Sequence, residues 1–423
     1  MTTDTQAQDI VHIKCGNPHF FVDCDPMQGM LHRYAFSNFQ SFRERTEVSW
    51  VLDGKVPSGV WSHQAPHGER ISRVMAVVGA NASGKTALLK PILFLKWFIS
   101  HSFADPHQGL MPFQPHLAAA DAPSEFELEV DFEGKLWRHV LRATPQRVLH
   151  EALYVKHERM RYVFVRDWND GTQSYDVKQQ GFGLAASEAR KVRPNASLIA
   201  TAAQYGVELA QRLGAGMVFS NLHQFGRQVN DPGQLVQAAT HFSQQGTQMK
   251  QAVSLLKSWD LGLKDIQLRE IETLQPDGSK GKVWLPFGVH ASSPAMDFEL
   301  PFMLESNGTQ SALVLLSKLL PALAGGGLAV IDEFENDLHP LMLEPLMELF
   351  ASPRTNPHAA QLLFTCHAVE VLNLVHKSQV MLVEKDETNQ STAWRLDSVS
   401  GVRNDDNLYA KYMAGAYGAV PQL

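Results

Sequence analysis

Cysteine is scarce in this sequence, and the cysteines that occur do not form pairs. The chain of 423 residues contains three, at Cys15, Cys24 and Cys366. They form neither a C-x-x-C motif nor an even-numbered framework, and no His/Cys cluster has the spacing of a zinc site. These absences argue against a disulfide-stabilised secreted domain and against a structural zinc ion.

The sequence also lacks an apolar segment of the kind that spans a membrane. Its longest apolar stretch, residues 311–331, contains Lys318, Pro321 and three consecutive glycines, which predict a helix, a loop and a strand. The first ten residues, MTTDTQAQDI, have neither the basic region nor the apolar core of a signal peptide. We therefore expect a cytoplasmic protein that does not associate with membranes.

An excess of basic charge is missing as well. Lysine and arginine together number 37 against 44 acidic residues, so the formal net charge is −7. This balance gives no general attraction to nucleic acid, although a local basic patch remains possible. Apolar residues make up 44% of the chain and charged residues 19%, which is typical of a soluble globular protein with a large core.

Sustained heptads and internal repeats are absent, and the remaining patterns predict an α/β protein. Residues 185–261 are poor in β-branched residues and rich in Ala, Gln and Leu, so we expect a short helical insertion there. We divide the chain into an N-terminal lobe (28–180) with an antiparallel β subdomain, the insertion (181–262) and a C-terminal lobe (263–423). Strand patterns are predicted at 31–50, 73–80, 124–143, 151–168, 264–273, 282–289 and 297–304.

One motif with a specific chemistry stands between a predicted strand and a predicted helix. Residues 79–86, GANASGKT, fit the pattern G-x-x-x-x-G-K-[ST], in which backbone N–H groups and a helix N-terminus surround a phosphate. The lysine of this pattern reaches the terminal phosphates, and the hydroxyl that follows it binds Mg²⁺. The motif therefore predicts a nucleotide site formed by Asn81, Ala82, Ser83, Gly84, Lys85 and Thr86.

A second motif supplies carboxylates. The segment 326–340, GGLAVIDEFENDLHP, has four apolar residues followed by Asp332 and Glu333. A buried parallel strand that ends in this way places both acids at the sheet edge where a phosphate loop also lies. We expect Asp332 to hold Mg²⁺ and Glu333 to polarise the attacking water as the catalytic base. No N-K-x-D motif is present, which argues against a GTPase.

Five segments in order resemble the ABC-type ATPase heads of the SMC and OLD-nuclease group, and within it the ATPases of prokaryotic antiviral defence. They are FSNFQSF (36–42), GANASGKTALL (79–89), ESNGTQS (305–311), LAVIDEFENDLHP (328–340) and LLFTCHAVEVL (362–372). The resemblance implies a P-loop NTPase fold that binds ATP and Mg²⁺. It also implies a homodimer, or a higher homo-oligomer, in which two heads enclose two ATP molecules.

The resemblance assigns further roles by position. Ser306 and Gly308 would contact the γ-phosphate held by the partner head, with Asn307 replacing the first glycine of the usual signature. Asp337 would lie in the D-loop at the dimer interface, and His367 would act as the switch histidine near the γ-phosphate. Gln114 is our candidate for the glutamine that completes the Mg²⁺ ligands, together with Thr86 and Asp332.

The tail, residues 402–423, is similar to the end of RloA-type ATPases, which occur beside RloB-type effectors. We therefore expect an ATP-hydrolysing switch of abortive-infection type that controls a separately encoded effector. No acidic TOPRIM cluster follows the ATPase motifs here, so any such effector would come from another polypeptide. The resemblance implies a nuclease-like effector, of RloB or TOPRIM type. The alternatives are a DNA-repair or DNA-maintenance head that acts on DNA, and a scaffold that ATP stabilises with negligible turnover.

Overall fold

Two sheets of different type organise the protein, as a computed structural model of the chain shows. The structure describes residues 29–104, 109–216, 218–223, 226–227, 232–259, 261–274, 279–293, 296–336 and 338–421. Among these residues, no helix has both the length and the apolar character needed to cross a membrane.

The described chain has three stretches that differ in their helices and strands. The first contains β1 (Gly29–Ser37), β2 (Thr46–Ser49), β3 (Val51–Leu52), β4 (Ser62–Gln64), β5 (Arg70–Ser72), β6 (Val74–Gly79), α1 (Lys85–His101), β7 (Ser124–Phe132), β8 (Lys135–Thr144), β9 (Arg147–Lys156), β10 (Met160–Asn169) and β11 (Ser174–Gln179). The second contains α2 (Ala186–Lys191), α3 (Leu198–Gln204), α4 (Glu208–Gly214), β12 (Val218–Ser220), β13 (Leu222–His223), β14 (Gly226–Arg227), α5 (Pro232–Gln244) and α6 (Gly246–Ser258). The third contains β15 (Asp265–Leu274), β16 (Lys280–Ser293), β17 (Met296–Pro301), α7 (Asn307–Gly325), β18 (Leu328–Ile331), α8 (Leu343–Ala351), β19 (Gln361–Thr365), β20 (Val380–Lys385), β21 (Ser391–Arg395) and α9 (Leu408–Met413).

The larger sheet is antiparallel and has seven strands in the order β11-β10-β9-β8-β7-β1-β2. The second sheet has six strands in the order β12-β18-β19-β6-β20-β21, and all of its pairs except β20–β21 are parallel. Helices α1 and α7 pack beside the parallel sheet, so the predicted α/β class with an antiparallel β subdomain is confirmed.

Strand β6 separates two apolar cores. Its residues alternate between them, because successive side chains of a strand point to opposite faces. Met75 and Val77 join the core formed with α1 and the antiparallel sheet, whereas Ala76 and Val78 join the core formed with α7 and α8. Strands β6, β18 and β19 are buried along nearly their whole length, as parallel strands covered on both faces are.

The middle segment differs in one respect from the expected helical insertion. It contains helices α2 to α6, but it also contains β12, which pairs in parallel with β18 through Val218 and Leu328. A three-residue strand in an Ala- and Gln-rich context has too short a pattern for recognition from the sequence. The segment therefore contributes an edge strand to the parallel sheet.

A buried ion pair attaches α3 to the antiparallel sheet. Glu151 of β9 is fully buried and accepts hydrogen bonds from the backbone N–H of Leu198 (2.9 Å) and the hydroxyl of Ser197 (2.7 Å). Arg166 lies 3.5 Å from the same carboxylate and donates to the carbonyl of Ala196. Because each charged group has partners, the first turn of α3 is held on the sheet without an unpaired carboxylate.

Candidate functional site

The loop between β6 and α1 has the backbone shape of a phosphate-binding loop. Ala82 and Gly84 have φ angles of 59° and 111°, in the left-handed region that favours glycine at the second position. A Cβ atom at Gly79 would collide with the carbonyl oxygen of Val383, and one at Gly84 would lie 2.5 Å from Ser391 Oγ. Both positions therefore require glycine, because neighbouring segments of the chain leave no room for a Cβ atom. Helix α1 begins directly after Gly84.

Lys85 is buried and turned back toward the loop. Its Nζ donates to the carbonyl oxygens of Gly79 and Ala80, both at 2.9 Å. Burial lowers the pKa of Lys85, while the charges of Asp332 and two glutamates raise it. The ammonium group thus sits inside the loop, held by two carbonyl acceptors, where a phosphate would attract it more strongly.

The loop is braced from outside by two serines. Ser391 Oγ lies 2.6 Å from the carbonyl oxygen of Ser83 and 2.8 Å from Ser41 Oγ. The backbone N–H of Ser391 donates to the carbonyl of Ser41 at 2.7 Å. Inside the loop, the buried Ser83 hydroxyl has no hydrogen-bond partner among the described residues. An unpartnered buried hydroxyl at this position fits a ligand with acceptor oxygens.

Asp332, at the end of β18, is the centre of a hydrogen-bond network. Thr86 Oγ1 donates to Asp332 Oδ2 at 2.9 Å, and Thr365 Oγ1 donates to Oδ1 at 2.7 Å. The Asn221 amide donates to the Asp332 carbonyl and accepts from its N–H, both at 2.8 Å. The network fixes both the carboxylate and the backbone of Asp332. Residues of α1, of β19 and of the segment after β12 therefore set the orientation of this side chain.

Glu333 adopts an unusual backbone conformation. Its φ is 51°, a region that non-glycine residues seldom occupy and that is concentrated at functional sites. Its N–H donates to Thr365 Oγ1 at 2.7 Å, so one threonine hydroxyl holds both acids. His367 Nε2 lies 3.8 Å from Glu333 Oε1, and about two fifths of each side chain is exposed (41% and 37%).

A third acidic residue of this region was not predicted. Glu335 Oε1 accepts a hydrogen bond from the backbone N–H of His367, and its Oε2 is buried without a partner among the described residues. Glu335 also contributes to the negative field that acts on Lys85. This hydrogen bond fixes the backbone of His367 and so the position from which its side chain extends.

Ser306 lies at the start of α7 and is exposed. It caps the helix, since Ser306 Oγ accepts from the N–H of Thr309 at 3.2 Å. A cavity of about 310 Å³ separates this end of α7 from β18 and is lined by Asn307, Gln310 and Glu333 among others. Within the described residues, no hydrogen bond joins Ser306 to the phosphate loop of its own chain.

Gln114 and Asp337 were predicted as well, and the structure describes only the first of them. Gln114 is exposed and lies in the segment between α1 and β7, where its carbonyl oxygen accepts from the N–H of Gln40 at 2.9 Å. Gln40 adjoins Ser41, whose Oγ lies 2.8 Å from Ser391 Oγ, so the Gln114 segment is linked to the serines that brace the phosphate loop. Its role as a Mg²⁺ ligand stays a prediction. Asp337 lies outside the described residues.

The assembled residues form a set of oxygen ligands beside the ammonium group of Lys85. The hydroxyl of Thr86 and the carboxylate of Asp332 are the kinds of ligand that Mg²⁺ prefers when substrate phosphates supply others. Lys85 and the N-terminus of α1 provide positive charge for phosphates. Lys85, Thr86, Asp332, Glu333 and His367 are thus brought together by strand ends, and the geometry suits binding of a nucleoside triphosphate.

Comparisons with known proteins are consistent with this arrangement. A family model described as "AAA domain, putative AbiEii toxin, Type IV TA system" matches residues 74–373, well over half of the chain. A search of curated protein sequences returned no match.

Two solved structures are similar in chain path at low identity. One is the SmcHead bound to the C-winged helix domain of ScpA, with a TM-score of 0.45, 12% identity, and coverage of 88% of this chain and 99% of that chain. The other is an Smc head domain with a coiled coil and joint derived from Pyrococcus yayanosii, with a TM-score of 0.44, 9% identity, and coverage of 92% and 99%. The family match spans β6 to the segment after His367 and so includes the whole network around Asp332. The chain therefore belongs to the family of AAA domains described as putative AbiEii toxin, type IV TA system.

Proposed function

We propose that this chain is an ATPase that works as a switch by ATP-dependent head dimerisation. The observation that carries the proposal is the network around Asp332, in which Thr86 and Thr365 hold the carboxylate beside a phosphate loop and Asn221 holds the backbone. Burial of the Asp332 carboxylate and the strained backbone of Glu333 both cost folding free energy. Strain of this kind is concentrated at functional sites, which supports a functional role for the arrangement.

Each residue has a defined task in hydrolysis. Lys85 would exchange its carbonyl acceptors for phosphate oxygens. Thr86 and Asp332 would hold Mg²⁺, which would supply positive charge to the phosphates. Glu333 accepts a proton from the attacking water, which aligns with the γ-phosphorus. His367, 3.8 Å from Glu333, orients that water or the γ-phosphate. The backbone N–H groups of residues 81–84 bind the remaining phosphate oxygens.

The second half of the site comes from another copy of the chain in this proposal. Ser306 is exposed at a helix N-terminus, and Gly308 follows it in the first turn of α7, so their N–H groups are available to a phosphate from outside. Asp337 belongs to the same interface by its position in the sequence. We assign the three segments 28–180, 181–262 and 263–423 to an N-lobe, an insertion and a C-lobe of one head.

The biological role we propose is that of a sensor or switch subunit in a cytoplasmic anti-phage complex of abortive-infection type. Support comes from the family description, which names an AbiEii toxin, and from the resemblance of the tail to RloA-type ATPases. A separately encoded, nuclease-like effector would respond to opening or closing of the dimer. The second candidate is a DNA-repair head. Salt-sensitive binding of duplex DNA in the ATP-bound state would favour it.

The test traps the closed state. Glu333→Gln keeps the shape of the side chain but removes the base, so ATP should bind without being hydrolysed and the dimer should persist on a sizing column with ATP. Lys85→Ala is the matched control, and it should remain monomeric and release no phosphate. A Glu333→Gln protein that stays monomeric with bound ATP would refute the dimer switch. Equal phosphate release by wild type and Lys85→Ala would refute the ATPase and leave the scaffold.

A further inference from the structure

A second cavity lies at the opposite end of the parallel strands from the nucleotide site. It has a volume of about 140 Å³ and is enclosed by α1, the antiparallel sheet and the beginning of β18 and β19. Its walls are largely apolar, with Ile92, Ile99, Leu128 and Leu153 as examples. A dry apolar cavity on the order of 150 Å³ holds one ring of the size of benzene. The space therefore suits a compact apolar group.

A single basic side chain enters this apolar surface. Lys96 of α1 lines the cavity, and its Nζ donates to the carbonyl oxygen of Gly214 at 2.8 Å. Burial alone lowers the pKa of Lys96 to about 8, and no carboxylate among the described residues offsets that shift. An ammonium group that is largely removed from water and has only a carbonyl acceptor is stabilised by a counter-charge.

An unpartnered nitrogen provides an independent observation in the same cavity. His139 lines it and is buried, with 3% of its surface exposed. Its Nε2 faces Glu151 Oε1 at 3.4 Å, whereas its Nδ1 has no hydrogen-bond partner among the described residues. The other polar groups at the wall are already used: Trp137 Nε1 donates to the carbonyl of Phe132, and Gln361 bonds to the backbone of Leu31.

We propose that this cavity is a binding site for a small aromatic or branched aliphatic carboxylic acid. The apolar body of the ligand fills the space between α1 and the sheet, and its carboxylate pairs with the Lys96 ammonium. The carboxylate also accepts a hydrogen bond from the Nδ1–H of His139 in the imidazolium form of that ring, whose Nε2–H is directed at Glu151. Apolar cavities with a few convergent polar groups and a perturbed titratable residue are the usual form of ligand sites. The site is separate from Lys85 and Asp332 and does not depend on ATP hydrolysis.

Binding of benzoate, compared with its neutral analogue benzamide, tests the proposal by calorimetry or ligand-detected NMR on the full-length chain. We expect wild type to bind benzoate at least about tenfold more tightly than benzamide, because only benzoate supplies a counter-charge. Lys96→Met should remove this preference, and Val130→Phe, which fills the cavity, should abolish binding of both. Lys135→Met, a matched change at an exposed lysine, should bind as wild type does.

Lys96→Gln serves as a second variant because it can keep a donor toward Gly214 while losing the charge, and a thermal melt establishes that each variant is folded. Equal binding of benzoate and benzamide by wild type would overturn the proposal, as would the absence of binding. A preference for benzoate that persists in both Lys96 variants would also overturn it.

Discussion

At the scale of single residues, the site depends on side chains that lie far apart in the sequence. Lys85 and Thr86 were predictable because a phosphate loop is a local pattern with a fixed spacing. Thr365 and Asn221 were not, since a threonine at a strand end and an asparagine in a loop have no motif of their own. Their roles arise only when β12, β18 and β19 lie side by side and bring them to Asp332.

We predict that Thr365→Val will lower ATP turnover while leaving the protein folded. Valine keeps the shape of threonine but removes the hydroxyl that donates to Asp332 Oδ1 and accepts from the Glu333 N–H. Loss of these bonds should cost about 1–3 kcal/mol and slow phosphate release about tenfold or more. Thr392→Val, at an exposed position of strand β21, is the matched control. Unchanged turnover in Thr365→Val would show that the network does not position the acids.

At the scale of elements, alternation and apolar runs predicted the longest strands, and the phosphate-loop strand was located to within one residue at each end. The start of α7 shows where such prediction ends. The apolar stretch that predicts a helix starts at residue 311, but the helix begins at Asn307 with Ser306 as its cap. Cap residues near Gly and Asn also suit turns, so local sequence does not separate the two.

Ser306 offers a prediction that distinguishes action within one chain from action across a dimer. Ser306→Arg should abolish phosphate release without preventing ATP binding, because the larger side chain blocks the approach of the other head's phosphates to α7. Mixing this inactive variant with inactive Lys85→Ala should restore measurable turnover, since a mixed dimer contains one site with both an intact Lys85 and an intact Ser306.

The structural role of Ser306 needs its own control. Ser306→Ala removes the cap, with an expected loss of about 1 kcal/mol in the free energy of unfolding, but adds no bulk. If the mixture of Ser306→Arg and Lys85→Ala stays inactive while both proteins remain folded, Ser306 does not act across a dimer.

At the scale of the whole molecule, burial lowers the pKa of several histidines. His32 is buried between Glu69, 3.0 Å from its Nδ1, and Asp131, 3.9 Å from its Nε2. Burial lowers the pKa of His32, against the opposing charges of Glu69, Asp131 and Glu129. Burial likewise lowers the pKa of the nearby His63, with Arg73 acting in the same direction. Burial raises the pKa of Asp131.

These shifts predict a loss of stability in mild acid. A histidine whose folded-state pKa lies below its unfolded value contributes stability above pH ~6.5, and this stability is lost as the pH falls through the folded-state pKa. Asp131 has the opposite sign, since its stabilising contribution disappears as the pH rises through its raised pKa. The free energy of unfolding, measured by denaturant at about pH 7.5 and about pH 5.5, should therefore decrease toward acid.

Replacement of His32 measures its contribution to the pH dependence of the free energy of unfolding. His32→Gln should reduce the difference between the two pH values by on the order of 1 kcal/mol, whereas His157→Gln, at an exposed turn, should leave it unchanged. An identical pH dependence in His32→Gln and wild type would mean that His32 does not titrate with unfolding.

The edge strand β12 has a consequence for how the protein can be taken apart. The residues between β11 and β15 look dispensable in the sequence, yet Asn221, just after β12, satisfies both backbone groups of Asp332. Excising that stretch to obtain a minimal core would leave a buried N–H and carbonyl without partners, at a cost of about 1–3 kcal/mol each. Truncation would thus disturb the backbone that positions the Asp332 carboxylate, and a shortened protein that had lost activity would reveal nothing about what the removed helices bind.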